Sequence, residues 1–160
     1  MVLDETHRGR VTRDGIRIYE ASDFAGMHRA GELAAHILDE MSAYVYPGQT
    51  TEEIDRVITD MVEAAGATSA TIGYKGYQHA SCISVNHVVC HGIPGPKVLK
   101  DGDVLNIDVT VIVDGWFGDT SRMYVAGTPS RKAERLIEVT HDALMKGIEQ
   151  VKPGNTFGDV

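Results

Sequence analysis

Long apolar runs are missing from this sequence. No stretch approaches the ~18 residues a membrane span needs, and the opening MVLDETHRGR has no apolar signal core. Cysteine is scarce: Cys82 and Cys90 are too few for a disulfide framework, so a reduced, cytoplasmic location is expected. Positive charge is also short. Lys and Arg number 15 against 23 Asp and Glu, a formal net charge of −8 that argues against nonspecific nucleic-acid binding and gives no reason to expect a membrane partner. The one basic cluster, Arg8, Arg10, Arg13 and Arg17, reads as a solvated arm. What is present is ordinary for a globular chain, with 42% hydrophobic and 24% charged residues over 160 positions. That length suits one domain able to bury about 70% of its unfolded surface.

Along the chain, residues 1–20 read as an irregular arm ending in a short strand, Ile16 to Tyr19. Ser22 is the expected N-cap of a long helix. Its apolar positions, from Phe24, Met27 and Ala30 through Leu38, Met41 and Val45, step by three and four. Pro47-Gly48 ends it, and Thr50 with Glu53 forms a T-x-x-E capping box for a second helix that Gly66 stops. From residue 68 the pattern changes to Gly, Tyr, Ser and β-branched residues. Cys82 to Cys90 reads as a strand, Pro94-Gly95-Pro96 as a loop, and Val104 to Val113 as a long strand. Asp114-Gly115 marks a two-residue hairpin before a return strand from Trp116 to about Ala126. Thr128-Pro129 should open a third helix, with Leu136, Ile137, Leu144 and Ile148 on its apolar face.

The end of the chain repeats its beginning. VYPGQTTEEI at 45–54 aligns with VKPGNTFGDV at 151–160, with six of ten positions identical or closely similar and the preceding helices in phase. Pro-Gly-x-Thr also serves as a common helix connector, but the shared phase favours an internal duplication. The expectation is an arm at 1–20 and an incomplete domain at 21–160, in which 23–66 is related to 129–160 and the second copy continues past Val160. The apolar face of the third helix should then be partly uncovered.

The hairpin carries the candidate chemistry. With Asp114-Gly115 as the whole loop, Val113 pairs with Trp116, Thr110 faces Asp119, and Asp108 faces Ser121. Asp108 and Asp119 then lie on one face as diagonal neighbours, about 7–8 Å apart at the backbone. Two carboxylates so placed repel one another, and a solvated polar face explains them as well as a site does. A bound cation would offset the repulsion, and paired carboxylates suit a two-metal centre. Two ligands are too few, and the local histidines His79, His87 and His91 lack a tight ligand spacing. His91, in CHGIPGP just past a strand, is placed either as a satisfied loop residue or as a catalytic donor.

Taken together, MHRAGELAAHIL, CHGIP, NIDVT and DGWFGDTSRMY, in this order and spacing, resemble type I methionine aminopeptidase from about residue 16 onward. The resemblance implies an α+β pita-bread (creatinase/aminopeptidase-like) fold, here its first half plus one helix of the second. It implies removal of N-terminal methionine from nascent proteins by a water that two divalent ions (Co, Mn, Fe or Zn) activate. Asp108 and Asp119 would be two of five metal ligands, the others being one His and two Glu of the family's second half. His91 would bind the substrate near the scissile amide, and Tyr74, Tyr77 and Cys82 would line the methionine pocket. Thr71 stands where many bacterial members have Cys, and Lys75 where many have His. Asn86 and Val88 match a monovalent-cation site built from main-chain carbonyls. Partners would be nascent polypeptides and the ribosome. Two rivals are kept: a prolidase or proline-specific aminopeptidase of the same fold, and a non-catalytic fragment acting as a binding module.

Overall fold

The computed structural model describes residues 8–160. Two short strands, β1 (Arg10–Val11) and β2 (Arg17–Ile18), pair antiparallel within the arm. The helix α1 (Ala21–Met41) follows, then α2 (Thr51–Ala64), the two-residue strand β3 (Thr68–Ser69) and β4 (Ser81–Val85). The long hairpin β5 (Asp103–Val113) and β6 (Trp116–Ala126) leads to α3 (Arg131–Glu149). All pairing is antiparallel: β6 flanks β5 on one side, and β4 and β3 lie end to end along the other.

Alternation decides how the sheet packs. Leu105, Ile107, Val109 and Val111 of β5 are buried on the face that meets the helices, and Ile83 and Val85 of β4 share their cluster. The helices answer with Ala34, Ile37, Leu38 and Met41 from α1 and Ile54, Ile58 and Val62 from α2. Each fully buried Leu or Ile stabilises the fold by about 1.5–3 kcal/mol. Contact between α1 and β6 is close enough to require glycine. A Cβ on Gly118 would lie 2.1 Å from the Ala30 carbonyl oxygen, and one on Gly26 would lie 2.1 Å from the Trp116 indole nitrogen.

Several boundaries differ from expectation. α1 begins one residue before Ser22, because the Asp23 carboxylate accepts the Glu20 amide at 2.9 Å and makes Glu20 the cap. It ends at Met41, and a turn carries the chain to Val45, which is still buried. The strand read from Cys82 to Cys90 is confined to Ser81–Val85, since Asn86 enters the left-handed region (φ 56°) and breaks the ladder. α3 is capped by Ser130, whose hydroxyl accepts the Ala133 amide at 3.2 Å, so Pro129 precedes the cap and is not the first helical residue.

The basic arm is only partly a solvated one. Arg8 stacks over the Trp116 ring at 4.3 Å and donates to the carbonyl oxygens of Asp114 and Gly115, while Arg17 donates to the Arg8 carbonyl. Tyr19 meets the same indole edge-on at 5.3 Å. Arg8 therefore holds the arm against the hairpin turn, and Arg17 ties the arm back onto Arg8.

The local geometry at the two Pro-Gly-x-Thr segments is alike. The Thr50 amide and hydroxyl both donate to Glu53, and the Thr156 amide and hydroxyl both donate to Asp159. None of the residues of α3 is buried, and Leu136, Val139, Leu144 and Ile148 are all more than half exposed. A cavity of about 670 Å³ separates the start of α3 from Val104 and Met123 of the sheet.

Candidate metal and substrate site

The open face of the sheet carries the candidate residues. Asp114 (φ 49°) and Gly115 (φ 76°) form the tight turn with positive φ at both positions that a two-residue hairpin needs. Register follows from it: Val113 pairs with Trp116, Thr110 with Asp119, and Asp108 with Ser121. Asp108 and Asp119 consequently project on the same side, away from the helices. β4 adds a third column there, with Cys82 directly beside Asp108.

The electrostatics of the pair match its geometry. Burial raises the Asp108 carboxyl above its ordinary value, the Asp119 charge raises it further, and His91 acts in the opposite direction. Asp119 is exposed and accepts the Thr110 hydroxyl at 3.0 Å. Among the described residues, no three His, Cys, Asp or Glu side chains converge on one point. The donors present fit a hard or borderline divalent ion in kind, and the repulsion that raises Asp108 is what a cation relieves. In number they make a partial site.

His91 reaches this face through an unusual backbone. Cys90 (φ 48°) and His91 (φ 42°) are both left-handed, a conformation costing on the order of 1–3 kcal/mol for each non-glycine residue. Gly92 anchors the segment: its amide donates to the Ser84 hydroxyl at 3.1 Å, and its carbonyl accepts the Ile83 amide at 2.8 Å. A Cβ there would lie 2.2 Å from the Ile83 carbonyl oxygen.

Beside the carboxylates opens a cavity of about 570 Å³. Thr71, Tyr74, Tyr77, Cys82 and His91 all line it, so the five residues expected around a substrate are brought together. Lys75 lines it too, left-handed at φ 49° with its ammonium 5.4 Å from the Tyr74 ring centre. Burial pushes the Tyr77 hydroxyl well above the ordinary range and raises the Cys82 thiol. Both groups stay neutral near pH 7. Sequence reasoning missed Thr110 and Phe117 as lining residues, although both share the carboxylates' face by simple alternation.

The other histidines lie elsewhere. His79 pairs through Nδ1 with Asp55 at 3.0 Å, and His87 sits on the exposed turn after β4. Asn86 is used structurally, its side chain donating to Asp103 at 2.8 Å and accepting the Val104 amide at 3.1 Å. Among the described hydrogen bonds, the main-chain carbonyls of Asn86 and Val88 receive no donor.

An antiparallel sheet backed by two helices, with a carboxylate pair on its open face, is the α+β arrangement of the pita-bread class, present here in part. The chain belongs to metallopeptidase family M24, whose family model matches residues 25–160. It is homologous to methionine aminopeptidases. It is 50% identical over 145 residues to that of Rickettsia prowazekii, covering 91% of this chain and 56% of the relative. It is 49% identical over 147 residues to that of Escherichia coli K12, with coverage of 91% and 56%. The crystal structure of the Rickettsia prowazekii enzyme superposes with a TM-score of 0.85 at 51% identity, over 87% of this chain and 56% of that one. A prolidase from Pyrococcus horikoshii superposes at 0.74 with 20% identity, over 84% and 38%, a likeness of fold alone. The chain thus spans about half the length of the curated relatives it matches. Among the described residues, no helix is long and apolar enough to cross a membrane.

Proposed function

We propose that these residues form the first half of the catalytic domain of a methionyl aminopeptidase, a metallo-exopeptidase that removes N-terminal methionine from nascent polypeptides. The observation that carries this reading is a juxtaposition. Asp108 and Asp119 share one sheet face, and a 570 Å³ cavity lined by Thr71, Tyr74, Tyr77, Cys82 and His91 opens beside them. Identity near 50% to methionine aminopeptidases, against 20% to the prolidase, supports this substrate over a proline-containing one.

In this reading Asp108 and Asp119 hold two divalent ions (Co, Mn, Fe or Zn) together with further ligands from outside the described set. Such ions supply a water of lowered pKa and polarise the scissile carbonyl. His91 donates a hydrogen bond to the amide as it becomes tetrahedral. Tyr74, Tyr77 and Cys82 surround the unbranched thioether and exclude water from it, a task suited to neutral, partly apolar groups. The carbonyls of Asn86 and Val88, which receive no donor among the described hydrogen bonds, would accept a monovalent cation. The likeness of the Thr50 and Thr156 turns supports a duplicated architecture, with 23–66 related to 129–160. Cytoplasmic nascent chains, presented at the ribosome, would be the substrates. With two carboxylates only, the 160 residues alone should bind metal weakly and turn over little.

The test is hydrolysis of Met-Ala-Ser against Ala-Pro peptides with Mn(II) or Co(II). It is run on the chain alone and mixed with the complementary half of the Rickettsia prowazekii relative. Methionine release by the mixture, abolished by Asp108→Ala or Asp119→Ala, is expected. Preference for Ala-Pro, or robust turnover by the chain alone, overturns the reading.

A further inference from the structure

Asp55 plays no part in the chemistry above, yet among the described residues it is the carboxylate that accepts the most hydrogen bonds. It lies on the buried face of α2 with 6% of its surface exposed, and it does not line the cavity. Its Oδ1 accepts the Ser81 amide at 2.9 Å and the Ser81 hydroxyl at 2.7 Å, and its Oδ2 lies 3.0 Å from His79 Nδ1. Ser81 is fully buried.

Each of those partners holds a cavity residue. The His79 carbonyl accepts the Thr71 hydroxyl at 2.6 Å, and the His79 ring meets Tyr77 edge-on at 5.6 Å. The Tyr77 hydroxyl donates to the Ser81 carbonyl at 2.8 Å, and Ser81 immediately precedes Cys82. Thr71, Tyr77 and Cys82 are therefore each one short link from a single buried carboxylate. We infer that Asp55 is a positioning residue, which fixes the cavity wall bearing Thr71, Tyr77 and Cys82 through its bonds to Ser81 and His79. This rests on the reading of that cavity as the substrate pocket. The physical ground is that a buried carboxylate accepting from several donors is among the strongest local constraints available to a loop.

The test reads the wall through its own thiol. Cys82 is buried in the wall, and Cys90 is exposed and serves as internal reference. Asp55→Leu keeps the branched four-atom side-chain skeleton, with methyls in place of the oxygens, and removes every acceptor. Under native conditions it should raise the alkylation rate of Cys82 relative to Cys90 by roughly tenfold, the scale of a lost buried hydrogen bond. Asp55→Asn keeps an acceptor for Ser81 and can turn its amide towards His79, so it should restore the rate to about twice the original or less. Val62→Ala weakens the same helix at its far end and should leave the ratio unchanged. An unchanged ratio in Asp55→Leu, or equal acceleration in Val62→Ala, overturns the inference. Should Asp55→Leu fail to fold, Ser81→Ala takes its place. It removes a single donor, a two- to threefold rise is then expected, and no rise overturns the inference.

Titration of the unaltered chain with L-methioninamide, followed by NMR at Tyr77 and Cys82, separates the two claims. No shift there defeats the pocket reading, while the alkylation ratios still decide whether Asp55 holds the wall.

Discussion

Asp108 shows how a single residue records the purpose of its surroundings. Its folded-state carboxyl is raised by burial first and by Asp119 second, so the folded chain binds this proton more tightly than the unfolded chain does. Stability attributable to it is therefore highest below the unfolded value and is lost as pH rises through the folded one. Asp108→Asn should raise the melting midpoint of the metal-free chain at pH 7 by about 1–2 °C, because a partly exposed site is screened. The gain should disappear near pH 3. Scanning calorimetry at the two pH values checks it, and a loss of stability at pH 7 contradicts it. The same substitution should abolish Mn(II) binding by isothermal titration, so stability and ligand binding move in opposite directions at one position.

At the scale of elements, the α1–β6 contact has no slack. Gly118→Ala would drive a methyl into the Ala30 carbonyl, which is backbone and cannot rotate away. A loss of about 2–4 kcal/mol in urea unfolding is expected. Arg8→Ala removes the cation over Trp116 and two donors to the turn, all near the surface, and should cost about 1 kcal/mol. Much of this level was legible in advance. The hairpin, its register and the shared face of Asp108 and Asp119 follow from Asp114-Gly115 and strict alternation. The ends of α1 and α3 were misjudged by one to a few residues, because capping went to Glu20 and Ser130 while Ser22 and Thr128 offered competing side chains. The cavity wall was not legible from pattern alone. Asp55 appears in the sequence as one more acidic residue in an amphipathic helix, and only the fold brings Ser81 and His79 to it. Left-handed Cys90 carries no sequence signal, and the several-fold preference of histidine for that region is too weak to place His91 there.

For the whole molecule, the dominant feature is the exposed apolar side of α3. Leu136, Val139, Leu144 and Ile148 lie open to solvent, with a 670 Å³ gap between the helix start and the sheet. Such a face favours association. Sedimentation velocity should show concentration-dependent self-association of the chain, reduced by Leu144→Glu together with Ile148→Glu. A monodisperse wild-type chain at tens of micromolar would contradict this.

The two-residue turn has a further consequence, one of parity. One residue added between Phe117 and Gly118 would send the Asp119 carboxylate to the helix side. Two would return it to the open side, displaced by about 7 Å. A bulge could ordinarily absorb the first insertion, but Gly118 against the Ala30 backbone leaves no room for one. Length variation in this hairpin is thus confined to its tip, where Arg8 grips it, and the spacing between the two carboxylates is as constrained as their identity.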